Sequence, residues 1–385
     1  MPFYHRLGQL PAKRHTQFRK PDGSLFREEL MGQEGFSGIQ SILYHHFMPT
    51  EVLKVDWLGQ AKPKLVDFGG LRARQFRTRQ FPAGGDALES RRAILGNADV
   101  ILYLSRPTRS MEHFYRNGQA YECWFCHEGQ GVFRSQFGQL PFSAGDYVVL
   151  PFGVTWQLRL ESSEARFLVM EAPSQFAPPR RYLNHYGQLL EHAPYCERDI
   201  KVPIELETYT DEGEFEVHVK ARDELHRHIM RHHPFGVVGW DGFLYPWSFN
   251  IANFEPITGR VHQPPPVHQT FEAHNFVVCS FVPRLFDYHP EAIPAPYVHS
   301  NVNSDEVLYY VDGDFMSRRG VDKYDFTLHP GGLPHGPQPG ATEASIGQAK
   351  TEELAVMVDT FRPLQVAEEG LAFELPEYAY SWVEK

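Results

Sequence analysis

Residues 294–313, "PAPYVHSNVNSDEVLYYVDG", place His299 seven positions before Glu306. On one straight strand these two side chains would lie about 23 Å apart and, at an odd separation, point to opposite faces. The residues between them are mostly Ser, Asn and Asp, which favour turns. We therefore predict that the chain folds back to bring His299 beside Glu306, and that the following "VLYYV" is a strand ended by a turn at Gly313.

Composition narrows the class of protein. A chain of 385 residues exceeds the usual domain of about 100–200 residues, which predicts two domains. Hydrophobic residues make up 42%, aromatic residues 14%, and there are 30 prolines, which favours an all-β protein with proline-bounded loops. The net charge of −11 argues against binding to nucleic acid or to an anionic membrane surface. The expected partner is a small molecule.

The N-terminal sequence and the hydropathy pattern predict a cytoplasmic protein. The opening "MPFYHRLGQL" lacks the apolar core of a signal peptide. No run approaches the roughly 20 apolar residues of a membrane span.

Two short motifs suggest metal or redox sites but are better explained otherwise. In "CWFC", Cys123 and Cys126 form a CxxC pair, but Cys196 and Cys279 are too widely separated to complete a four-thiolate zinc site. We interpret the pair as reduced cysteines in a strand. The histidine-rich "HRHIMRHH" of residues 226–233 precedes no carboxylate with a strand-and-glycine pattern, and we interpret it as a solvated surface segment.

Two distant segments repeat one pattern, which is the clearest sign of organisation in the chain. In the first segment, Glu122 begins E-x6-G and Asp146 begins D-x4-P-x-G. In the second segment, Glu306 and Asp325 begin the same two motifs. A double coincidence of this length predicts two related β modules.

This repeat resembles the paired motifs of the cupin family, small jelly-roll barrels whose first motif carries His and Glu and whose second carries His. The resemblance implies a bicupin, with two jelly-roll modules, the first degenerate, and a β-rich N-terminal extension. It also implies that the second module keeps metal ligands at His299, Glu306 and His335.

The first module departs from the cupin pattern. Trp156 stands at the position of the last histidine, and Tyr115 and Arg116 stand where a first histidine would precede Glu122. We predict an N-terminal β region over residues 1–205, with a degenerate, metal-free module at about 110–160, and a catalytic module over residues 206–385.

The predicted ligand set has its own chemistry. Two neutral imidazoles and one carboxylate bind a divalent metal and leave coordination positions open, as in non-haem Fe(II) oxygenases. Open positions can hold a chelating substrate and dioxygen together. Zinc remains an alternative, because a His2Glu set also serves hydrolytic zinc.

Three further segments carry a closer resemblance. The stretches "GWDGFLYPWSFNI" (239–251), "GRVHQPPPVHQTF" (259–271) and "LHPGGLPHGP" (328–337) resemble the homogentisate 1,2-dioxygenase family, particularly its shorter bacterial members. The resemblance implies an Fe(II)-dependent homo-oligomer, a hexamer, that opens homogentisate with O2 to maleylacetoacetate in tyrosine and phenylalanine catabolism. The alternatives are a related dioxygenase acting on gentisate or another hydroquinone, and a non-oxidative metal-dependent isomerase, hydrolase or binding protein.

The same resemblance assigns roles around the metal. His262 aligns best with the family histidine that deprotonates a substrate hydroxyl, and His268 is its rival. Phe315 stands where well-studied members have a tyrosine near the substrate, and His329 and His335 complete the predicted substrate-binding set. His329 is also placed to orient a ligand.

Overall fold

The computed structural model describes residues 3–66, 70–315, 318 and 320–383. Regular structure in these residues is almost entirely strand. The strands are β1 His5–Gly8, β2 Arg27–Gly32, β3 Gln40–His45, β4 Val52–Gln60, β5 Leu65–Val66, β6 Arg74–Phe76, β7 Arg92–Gly96, β8 Ile101–Ser105, β9 Phe114–Asn117, β10 Tyr121–Glu128, β11 Gly131–Ser135, β12 Gly138–Phe142, β13 Asp146–Leu150, β14 Thr155–Leu160, β15 Arg166–Ala172, β16 Ile200–Lys201, β17 Glu212–Ala221, β18 Glu224–His232, β19 Val237–Gly242, β20 Trp247–Asn250, β21 Gln269–Ala273, β22 Phe276–Phe281, β23 Arg284–Leu285, β24 Asp305–Asp312, β25 Phe326–His329, β26 Lys350–Thr351, β27 Leu354–Thr360 and β28 Gln365–Ala367.

Helices are short. The α-helix α1 has five residues, and the remaining helical segments are 3-10 turns. Within the described residues, no helix has the length and apolarity needed to cross a membrane. The bounds are α1 Ala341–Ser345 and the 3-10 turns Arg180–Tyr182, Glu197–Asp199, Ile251–Asn253, Pro265–His268, Glu368–Phe373 and Pro376–Tyr380.

The first module is built from two large sheets. One has nine strands in the order β16-β20-β13-β10-β15-β8-β7-β28-β5, and the other has seven in the order β12-β11-β14-β9-β17-β18-β4. Aromatic side chains from both sheets pack together: the ring of Trp124 on β10 lies 5.5 Å from Trp156 on β14 and 5.4 Å from Phe167 on β15. Edge-to-face packing of this kind fills the module interior and stabilises it beyond simple burial.

The second module centres on a six-stranded sheet. Its order is β21-β22-β27-β24-β25-β6, and the short pair β23-β26 lies beside it. Strand β24, which carries Glu306, is hydrogen-bonded to β25 on one side and β27 on the other. Together with the first module, this arrangement is an all-β bicupin with a β-rich N-terminal extension.

The two motif glycines occupy equivalent turns. Gly129 ends β10 with φ +101°, and Gly313 follows β24 with φ +95°, backbone conformations that favour glycine. A Cβ at Gly313 would stand 2.0 Å from the carbonyl oxygen of Glu352. The turn predicted at Gly313 is confirmed, and the repeated E-x6-G is a strand followed by a left-handed turn in both modules.

Strands from both sides of the predicted 205/206 boundary share sheets. Strand β19 lies between β1 and β3, β20 pairs with β13, and β28 pairs with β7. Strands from the C-terminal half therefore complete sheets that also contain strands from the N-terminal half. The boundary between residues 205 and 206 stays a prediction.

The structure can be compared with the interpretations of the "CWFC" pair and of the histidine-rich segment. Cys123 and Cys126 are free cysteines buried in β10, so their predicted place in a strand is confirmed, and burial raises the pKa of both thiols. The interpretation of residues 226–233 as a solvated surface segment is wrong. Most of them form β18, which lies between β17 and β4 and is partly covered on both faces.

Candidate metal centre

A pair of backbone hydrogen bonds joins the two segments that carry the predicted histidine ligands. The amide of His299 donates to the carbonyl of His335, and the amide of His335 donates to the carbonyl of His299, each at 2.8 Å. The turn between His299 and β24 is held in place by the amide of Gly332, which donates to the carbonyl of Asn301 at 2.8 Å. Buried backbone groups require such partners, so the fold fixes the spacing of the two histidines.

The three predicted ligand side chains converge. The Nε2 atoms of His299 and His335 lie 3.7 Å and 3.6 Å from Oε2 of Glu306. All three candidate ligand atoms lie within 4.8 Å of one another. The predicted return of the chain from His299 to Glu306 is therefore confirmed.

The donor set fits a divalent cation. The Nδ1 atoms of His299 and His335 face the carbonyl oxygens of Tyr297 and Leu333 at 3.2 Å and 3.1 Å, which favours a proton on Nδ1 and a lone pair on Nε2. Nε2 of His335 is buried without a hydrogen-bond partner in the described residues. Ligand atoms about 2.1 Å from a shared ion stand roughly 3–4 Å apart, close to the observed spacing.

Histidines also surround the carboxylate of Glu306. Burial pushes the pKa of Glu306 upward, but the neighbouring imidazoles of His299, His329 and His335 outweigh it and hold that pKa well below its ordinary value. Nδ1 of His329 lies 2.8 Å from Oε1 of Glu306, and its Nε2 lies 3.2 Å from the hydroxyl of Tyr378. Burial lowers the pKa of His329 to about 4, so a neutral His329 donates from Nδ1 and orients the ligand carboxylate.

A cavity of about 110 Å³ opens beside the triad. One water needs about 10–15 Å³, so this cavity has room for a single small molecule. His299 and Glu306 both line it, together with the two histidines proposed for proton transfer. The other lining residues used below are Phe281, Arg284, Leu308, Arg318, Glu353 and Met357.

The two candidate bases differ in burial. His262 keeps about a third of its side chain exposed, and its Nδ1 faces Oδ2 of Asp287 at 3.8 Å. Burial lowers its pKa from the ordinary value. His268 is almost fully buried against Phe281, and burial lowers its pKa to about 3. Both rings are neutral at neutral pH, but His268 is much the weaker base.

None of the three predicted substrate-binding residues, Phe315, His329 and His335, lines this cavity. Phe315 packs edge-on against Tyr310, with ring centroids 4.6 Å apart, in a small cluster behind the cavity wall. His329 lines a separate cleft of about 510 Å³, which it shares with His335. Direct contact of Phe315 or His329 with substrate stays a prediction, and the structure favours the orienting role of His329.

Charged residues that sequence reasoning missed also line the cavity. Arg284 on β23 makes no side-chain hydrogen bond or ion pair with a described residue, and its guanidinium lies 5.7 Å from the ring of Phe286. Arg318 donates to the carbonyl of Gly336. Burial raises the pKa of Glu353 to about 7. No motif or spacing marks these residues, because they reach the cavity from separate segments.

The equivalent carboxylate of the first module is already neutralised by protein groups. Oε1 of Glu122 accepts hydrogen bonds from Arg91 at 2.7 Å and from Asn117 at 3.0 Å, and its Oε2 accepts from Nε1 of Trp124 at 3.0 Å. Trp156 fills the neighbouring interior. Arg91 supplies the compensating charge that a buried carboxylate requires.

The two equivalent glutamates provide a matched test. Glu306→Gln should lower metal affinity by at least the roughly 10- to 100-fold that loss of a supporting residue costs, because it removes one of three donors. Glu122→Gln should leave metal content unchanged. Metal per chain is measured on anaerobically purified protein. Two metals per wild-type chain, or equal losses in both variants, would contradict the assignment.

The chain is similar to known dioxygenases. Residues 88–251 match the family described as "Homogentisate 1,2-dioxygenase N-terminal". The chain is 41% identical to "Putative dioxygenase SSO1533" of Saccharolobus solfataricus, across 99% of both chains. Homogentisate 1,2-dioxygenases of Bradyrhizobium diazoefficiens and Nitrobacter hamburgensis are 27% and 28% identical over 67% and 71% of this chain, and the matches span 60% and 64% of those relatives.

Among solved structures, a cupin 2 conserved barrel domain protein from Leptotrichia buccalis covers 78% of this chain and 100% of its own, at 10% identity and a TM-score of 0.34. A score this low supports no functional comparison. The family assignment depends on the sequence matches, above all on the relative that is similar from end to end. The chain therefore belongs to the same dioxygenase family as the relative from Saccharolobus solfataricus, and it is similar to homogentisate 1,2-dioxygenases.

Proposed function

We propose that this protein is an Fe(II)-dependent dioxygenase that converts homogentisate and O2 to maleylacetoacetate. The observation that carries the proposal is that the two ligands His299 and Glu306 line the same cavity as a candidate base, His262, and a candidate anion-binding residue, Arg284. A dioxygenase family implies a metal, and a facial set of two histidines and one carboxylate is typical of non-haem iron oxygenases.

Iron held by His299, Glu306 and His335 would supply a Lewis acid and a redox centre at the end of the cavity. The residues of the chain bind and orient the substrate. Nδ1 of His262 faces Asp287, which leaves Nε2 to accept the proton of a ring hydroxyl. Imidazole suits this step because it is neutral at working pH.

Arg284 gives the cavity a preference for an anionic substrate. A guanidinium that makes no hydrogen bond or ion pair with the described residues can take a carboxylate through two parallel charge-assisted hydrogen bonds. Homogentisate carries such a carboxylate on a short arm. Phe281, Leu308 and Met357 form an apolar wall that suits an aromatic ring and excludes water.

Oxygen uptake on three hydroquinones tests the function. Homogentisate should consume one O2 per ring, gentisate should react more slowly because its carboxylate lies closer to the ring, and hydroquinone should be poor because it lacks the carboxylate. Arg284→Gln should lower kcat/KM for homogentisate about tenfold or more and hardly change it for hydroquinone, as expected for loss of a charged hydrogen bond of about 1.5–3 kcal/mol.

Rapid turnover of gentisate without reaction on homogentisate would support the dioxygenase reaction but exclude homogentisate as the substrate. Absence of oxygen uptake on all three compounds by iron-loaded protein would reject the reaction itself. An equal loss on homogentisate and hydroquinone in Arg284→Gln would exclude Arg284 from carboxylate recognition.

Two histidine variants separate proton transfer from metal binding. His262→Ala should retain its metal and lose roughly 100-fold or more in kcat, the usual scale for a missing general base. His268→Ala should lose much less, because a residue with a pKa of about 3 is a poor base. Metal content and steady-state kinetics are measured on both, and the reverse result would transfer the role to His268.

A further inference from the structure

Strand β4, residues Val52–Gln60, is an edge strand with apolar side chains turned to solvent. It ends the seven-stranded sheet and pairs with β18 alone among the described strands. Trp57 and Val55 are 61% and 55% exposed. A long edge strand with unpaired backbone groups and apolar side chains is a template for pairing with another strand. Nothing in the proposed catalytic site requires these residues.

The central part of β4 is regular. Register shifts disturb its pairing with β18 at both ends, but residues Lys54 to Trp57 face Ile229 to His226 in unbroken antiparallel register. Val55 and Trp57 therefore point to one face of the sheet, and Lys54 and Asp56 point to the other. These four residues form a short, flat ladder at which a further strand can be added.

The sequence of this ladder is complementary to itself. In an antiparallel pair of two β4 strands centred on Val55, Lys54 of each copy stands directly opposite Asp56 of the other. The two Val55 side chains meet on the opposite face. Directly opposed unlike charges and apolar pairs stabilise antiparallel strands. A twofold axis produces all of these contacts twice, as an isologous interface requires.

Neighbouring registers are unfavourable. Centring the pair on Asp56 would place two aspartates opposite each other, and centring it on Lys54 would do the same with two lysines, which destabilises the pair. Within its own chain, Asp56 is held by Lys54 at 2.9 Å and by Arg227 at 2.5 Å. These ion pairs keep the carboxylate ordered and charged on the face where it would meet Lys54 of the second copy.

We propose that two copies of this chain associate through their β4 strands, in antiparallel register centred on Val55, to form one sheet that continues across both molecules. The partner is a second copy of the chain rather than a foreign peptide, because the alternation of charge and apolar side chains in β4 matches itself.

The mass of the assembly in solution tests the interface. Light scattering of the wild type should give an even multiple of the chain mass, and Val55→Lys should halve it, because two lysines would meet on the axis. The control Ile204→Lys changes an aliphatic side chain that is 74% exposed outside β4 and should keep the wild-type mass. A monomeric wild type, or a Val55→Lys variant with the wild-type mass, would overturn the proposal.

Charge reversal tests the register independently of folding. Lys54→Asp alone and Asp56→Lys alone should each weaken association by about tenfold or more, because each places like charges opposite each other twice. An equimolar mixture of the two variants should restore the wild-type mass, since every Asp would then face a Lys. A mixture that stays as dissociated as its two parents would rule out the register.

Discussion

The metal centre depends on the two backbone hydrogen bonds between His299 and His335. Glu306 is fixed by a strand that is paired on both sides, whereas His299 comes from a loop and would otherwise be free to move. The reciprocal pair ties that loop to the segment after β25. It converts two histidines 36 positions apart in sequence into neighbours whose Nε2 atoms both face Glu306. Without it, the ligand set would lose one of its three members.

The two modules compensate the charge of a buried glutamate in different ways. Each places a glutamate on an interior strand, and a buried carboxylate is costly unless a positive charge or hydrogen-bond donors compensate it. In the first module Arg91 and Asn117 bind Glu122 directly. In the second module histidines surround Glu306, and one of them presents an unpartnered nitrogen. A divalent ion would complete the second arrangement, whereas hydrogen bonds from Arg91 and Asn117 already satisfy the first.

The sequence predicted those parts of the site that are encoded in short motifs. Turn-forming residues after His299 and the repeated E-x6-G indicated which side chains converge. Local backbone geometry determines both the turn after His299 and the strand that ends before the motif glycine. Arg284, Glu353 and Tyr378 could not be predicted, since sheet pairing between distant segments brings them to the site. The interpretation of the histidine-rich β18 was wrong for the same reason. This strand is paired with β17 and β4, and β4 lies more than 160 residues earlier in the sequence.

The central claim is that one metal ion binds each chain, between His299, Glu306 and His335, and none binds beside Glu122. Anomalous scattering from a crystal of the iron-loaded protein, recorded on both sides of the iron absorption edge, tests this most directly. We expect one peak per chain, about 2.1 Å from the two Nε2 atoms and from a Glu306 carboxylate oxygen. A peak beside Glu122, or the absence of a peak at the triad in protein shown to contain iron, would contradict it.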